Sequence, residues 1–130
     1  MNINIIEARI KRNKLKEIAG EYYRDSGSQL INNLKNTGKI VFVGIQREDG
    51  IYTVIGRNSV FYSTSAGEFE IPNKEFINLL TSNALRMGKD SDFEFVKTNS
   101  NALIWVFNGS TMNAIWNTVM LMNSESGSIS

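Results

Sequence analysis

Between residues 39 and 71 the chain reads "KIVFVGIQ", "IYTVIG", "VFYSTS" and "EFEI", four β-branched and aromatic runs separated by "REDG", "RNS" and "AG". This stretch constrains the fold more than any other. Strands joined by so few residues must pair antiparallel, because a parallel crossover needs a dozen residues or more. Asp49-Gly50 is a strong hairpin signal. The expectation is a β-meander.

Helical spacing surrounds it. Ile6, Ile10, Leu15, Ile18 and Tyr22 recur at helical intervals over residues 3–23, although "IIEARI" also carries strand formers. After "RDSGSQ", Ser28 is placed to cap a short helix bearing Leu30, Ile31 and Leu34, which Gly38 ends. Pro72 stops the sheet, and Asn73 is placed to cap a helix with Phe76, Ile77, Leu80 and Ala84 along one stripe. "DFEFVKT" and "ALIWVFN" form a further hairpin around "NSNA". A final helix over about 111–122 presents Ile115, Trp116, Val119 and Met120. This order predicts an α+β fold, an antiparallel sheet (meander plus C-terminal hairpin) with helices packed on one face. Residues 1–123 are one domain, and the tail 124–130, in "NSESGSIS", is expected to be loose.

Composition narrows the chemistry. The chain has neither cysteine nor histidine, so thiolate chemistry, disulfides, the commonest general base and the commonest metal ligand are all missing. Glu68 and Glu70 alternate on one strand but lack a third carboxylate at ligand spacing. Asp90, Asp92 and Glu94 lack the glycine and distal glutamate of a calcium loop. No glycine-rich phosphate loop is present. These absences favour a binder over an enzyme, with no cofactor and no metal. No apolar run approaches membrane-spanning length, and no signal peptide opens the chain, so a cytoplasmic protein is expected. Net charge is +1, which gives no reason to expect a specific nucleic-acid partner. The charge is uneven, however. Residues 1–40 carry eight basic and four acidic side chains, and residues 41–130 carry six and nine. The basic excess in segment 9–16 reads most simply as a solvated helix face.

The stretch "VFNGSTMNAIWN" at 106–117 raises the sharpest question. It reads as a strand, an Asn108-Gly109 turn and a helix opened by Ser110 or Thr111. A turn with a cap is one reading. The other is an anion cradle, in which free amides at the helix start, the Ser110 and Thr111 hydroxyls, and Asn113 hold a phosphate or ribose. Arg57, following an apolar strand, is either a surface hairpin residue or a phosphate ligand. Phe61, Tyr62 and Trp105 are either core or a stacking face for a base. Arg86, near a helix end, reads as a partner of the helix dipole.

An N-terminal "IIEARI", a meander with a strand arginine, "FYSTSAGE" and "GSTMNAIWNTVM" together resemble the Thoeris anti-defense 1 family of phage proteins. The resemblance implies a sponge that binds cyclic ADP-ribose isomers made by bacterial TIR-domain proteins, without degrading them, in the cytoplasm of an infected host. Members also bind cyclic oligonucleotides and assemble as dimers and larger oligomers. Arg57 and the start of the last helix would then be ligand contacts. Where the family pattern has an Arg-Thr pair at that helix, this chain has Ser110-Thr111. Ser110 brings no charge, which favours an ADP-ribose derivative over a cyclic oligonucleotide. The basic stretch 11–38 has no counterpart in the pattern.

The combined expectation is sequestration of a small phosphorylated nucleotide by a homo-oligomer built from dimers. Its ligand-binding residues would be Arg57, Phe61, Trp105, Asn108, Gly109, Ser110, Thr111 and Asn113. The alternative is a protein-binding immunity or anti-defence module that blocks a toxin or effector directly.

Overall fold

A computed structural model describes residues 8, 10–11, 14–87, 94–98 and 102–127, except the side chains of 83–87 and 124–127. The expected N-terminal strand at "IIEARI", the acidic residues Asp90 and Asp92, the "NSNA" turn and the Arg86 side chain lie wholly or mostly outside the described residues.

The elements are α1 (Leu15–Ala19), a 3₁₀ turn (Gly20–Tyr22), β1 (Tyr23–Arg24), α2 (Gln29–Asn36), β2 (Val41–Gln46), β3 (Tyr52–Gly56), β4 (Ser59–Thr64), β5 (Gly67–Pro72), α3 (Asn73–Met87), β6 (Phe95–Lys97), β7 (Leu103–Trp105) and α4 (Gly109–Gly127). The first five strands form one antiparallel sheet in sequence order, and β6 pairs with β7 in a separate hairpin. The fold is therefore α+β, with the meander and the C-terminal hairpin where the sequence places them. The fifth strand, β1, is an addition. Its two residues pair with Ile45 and Gly44, and two residues are too short to show any periodicity.

Local chemistry explains the boundaries. The β2–β3 turn closes through Arg47 N–H to the Ile51 carbonyl at 2.7 Å, with Gly50 at φ 93, a conformation that favours glycine. Ser28 Oγ accepts from Ile31 N–H at 3.3 Å, so it caps α2 as its position predicts. Asn73 opens α3 differently. Its Nδ2 donates to the Arg57 carbonyl at 2.9 Å, so the side chain ties down the β3–β4 turn and does not cap its own helix. The last helix reaches Gly127, beyond the expected 122, so 124–127 continue the helix where a loose tail was expected. Nothing in "NSES" stops it, since the first residue of strong breaking character is Gly127 itself.

Helices occupy both faces of the sheet, which corrects the expectation of one. Val43, Ile45, Ile55, Val60, Tyr62 and Ile71 point to a large core closed by α1, α3, α4 and the β6–β7 hairpin. Thr53, wholly buried, donates to the Trp105 carbonyl at 2.6 Å and locks the hairpin to this face. On the opposite face Val41, Tyr52, Val54 and Phe61 pack against Ile31 and Leu34 of α2. The sequence reading missed this because α2 has only two residues to bury. Val41 and Val43 would share a face in a regular strand. A register shift between them places them in different cores, with Phe42 as the extra residue of the bulge.

Candidate functional site

The bulge lies on the wall of a surface cavity. Phe42 is half-buried beside it, and the chain ends of α2 and β1 converge on the same place. The result is a groove of about 390 Å³. That is within the range of small-molecule sites, roughly 300–1,000 Å³. Its walls carry the aromatic rings of Tyr23 and Phe42 and three lysines, Lys11, Lys35 and Lys39. Lys35 lies in the last turn of α2, where a cation also suits the helix dipole. Lys39 Nζ donates to Thr37 Oγ1 at 3.0 Å and stands 5.7 Å from the centre of the Phe61 ring. The ion pairs among the described residues belong to Arg47, and none of the three lysines makes one with a described carboxylate. Asp25 also lines the groove, with its Oδ1 accepting from Gly27 N–H at 3.0 Å.

A second cavity of about 250 Å³ adjoins the groove and shares Lys39 and Ile40 with it. Phe61, Asn58, Ser59 and Glu70 complete its wall. Phe61 and Glu70 are cross-strand partners, so they project from the same face of the sheet. Further along that face burial pushes the Tyr52 hydroxyl up to about 12, and the adjacent Glu68 carboxylate adds to the shift by charge and by hydrogen bonding.

The residues singled out by sequence do not form one cluster. Trp105 is only 1% exposed, packed edge-to-face on Tyr22 at 5.3 Å, with its Nε1 donating to Glu94 Oε1 at 3.2 Å. It is a core residue and offers no face to a base. Strand alternation sends Tyr62 to the large core and Phe61 to the opposite face, beneath Lys39. Asn108 is the cap of α4, its Oδ1 accepting from Thr111 N–H at 2.8 Å. Gly109 is already helical, and the turn is made by Phe107 at φ 73, an unfavourable conformation for an aromatic residue. Thr111 is wholly buried, and its Oγ1 has no hydrogen-bond partner among the described residues. Ser110 and Asn113 are exposed.

Arg57 is exposed beyond the far end of β3. The Trp105 carbonyl is held at Thr53, four residues earlier, about 13 Å along an extended strand. The lysine groove was missed because its cations come from two separate segments, Lys11 and the turn that carries Lys35 and Lys39. The available signal was the basic excess in the first forty residues, which reads as a solvated face until α2 folds over the sheet.

Fold and groove together define a small α+β domain with a cationic, aromatic-walled surface cavity. No group of three or more potential metal-ligating side chains occurs among the described residues. No helix among them is long and apolar enough to cross a membrane. No protein-family model matches the chain, and no curated protein or solved structure matches it.

Proposed function

We propose that this protein binds a small phosphorylated nucleotide in the groove between α2 and β2 and holds it without turnover. The observation that carries this reading is the set of three lysines, in no ion pair among the described residues, around the Tyr23 and Phe42 rings. Ammonium groups complement phosphate oxygens, and aromatic walls complement a base. The absence of histidine and cysteine from the sequence supports retention over reaction. In the setting that the family resemblance implies, the ligand is a cyclic ADP-ribose isomer. The protein would then act as a sponge against anti-phage signalling, in an oligomer built from dimers.

Calorimetric titration with cyclic ADP-ribose and with ADP tests the binding, and chromatography of the heat-released ligand tests its integrity. Binding with intact recovery is expected. Lys35→Ala and Lys39→Ala should each weaken it by about 1.5–3 kcal/mol, the usual worth of a charge-assisted contact. Absence of binding up to millimolar ligand, or cleavage proportional to protein, would overturn the reading.

A further inference from the structure

We infer that the smaller cavity is a second compartment of the same site, built to take the sugar or base of the ligand, with Glu70 as its specificity-determining residue. This rests on the proposed nucleotide reading and adds a constraint to it. Lys39 and Ile40 border both cavities, so a ligand whose phosphates lie on the lysines has its next atoms directed past Lys39. Beyond Lys39 the chemistry reverses sign. Glu70 is a carboxylate on the cavity wall, and it does not pair with the lysine across from it. An anion is repelled there, whereas a hydrogen-bond donor is accepted. The donors that follow a phosphate in a nucleotide are ribose hydroxyls and exocyclic amines.

The backbone beside this cavity is pinned in place, while Glu70 is exposed on its rim. Arg57 N–H donates to the Ile40 carbonyl at 3.1 Å, and Asn73 N–H donates to the Asn58 carbonyl at 3.0 Å. A Cβ at Gly56 would come within 2.7 Å of the Ile40 carbonyl oxygen and 2.8 Å of the Ser59 carbonyl oxygen, so this turn has no slack. Phe61, 7% exposed, forms the floor between Glu70 and Lys39. A cationic compartment joined to an anionic one selects a ligand that is acidic at one end and donor-rich at the other. Inorganic polyphosphate and simple polyacids lack the second half.

The test is calorimetric titration of wild type and Glu70→Gln with ADP and with inorganic pyrophosphate. Wild type should bind ADP more tightly than pyrophosphate. Glu70→Gln should weaken ADP about tenfold, the loss expected for a charged acceptor, and leave pyrophosphate unchanged or tighter because a repelling charge has gone. Equal ADP affinity in both proteins would overturn the second compartment while the nucleotide groove stands. Equal weakening of ADP and pyrophosphate would also overturn it, since the substitution would then act through the fold. If wild type binds neither probe, the nucleotide reading itself fails and this inference with it.

Discussion

Whether "NGST" serves stability or ligand binding turns on a single hydrogen bond. Asn108 Oδ1 accepts from Thr111 N–H at 2.8 Å, satisfying one of the unpaired amides at the start of α4. The Asn108 carbonyl separately accepts from Met112 N–H at 2.9 Å, and a side-chain substitution leaves that bond in place. Asn108→Ala therefore removes one cap bond and nothing else in the ladder, at a cost of about 1 kcal/mol within a usual range of about 0.5–2. For a chain of this size that corresponds to a melting shift of about 3–5 °C. Asn108→Asp keeps an acceptor and adds a charge suited to the helix N-terminus, so it should match wild type or exceed it slightly. Ser110 is exposed, so Ser110→Ala should stay within about 0.5 kcal/mol. Urea denaturation of the three variants followed by circular dichroism reads these differences. A larger loss for Ser110→Ala than for Asn108→Ala would refute the cap assignment and return the hydroxyls to the cradle reading.

Gly44→Ala should cost about 3 kcal/mol or more, at the upper end for overpacking, because its Cβ would lie 2.4 Å from the Thr53 carbonyl oxygen; the urea midpoint checks this. Thr53→Val should cost about 1–3 kcal/mol in the same assay, since it strips the buried 2.6 Å bond to the Trp105 carbonyl. Because the Tyr52 hydroxyl is raised to about 12, its contribution to stability is complete below its ordinary value near 10.0 and is lost as pH climbs through 12. Absorbance titration should show a late-ionising phenol that Tyr52→Phe eliminates.

The meander was legible because each of its runs is bounded by a turn whose chemistry is local. Asp49-Gly50 and Pro72 mark positions that the three-dimensional structure also uses. Placement of the helices was not legible, since it depends on which side of the sheet each apolar stripe finds. The bulge at Phe42 decides where Val41 goes, and no local pattern announces it. The expected site fared unevenly for the same reason. Residues 108–111 are contiguous, and their local role is that of a turn and cap. Lys35 and Lys39 are local neighbours, but Lys11 joins them only in the folded chain, so a single-segment motif could not reveal the trio.

The small second core has a dynamic consequence. α2 is held to the sheet by Ile31 and Leu34, whereas α3 and α4 share the large core with the hairpin. Its opening should therefore cost less free energy than global unfolding, and its amides should exchange with solvent faster than those of β3. Since Lys35 rides on α2, every such opening also dismantles the groove. An anion that bridges Lys35 to Lys11 or Lys39 binds the closed form alone, and at a hundredfold excess over its dissociation constant it would slow α2 exchange by about 2.7 kcal/mol. Deuterium uptake at residues 29–36 is thus a reporter of groove occupancy that needs no knowledge of which nucleotide fills it.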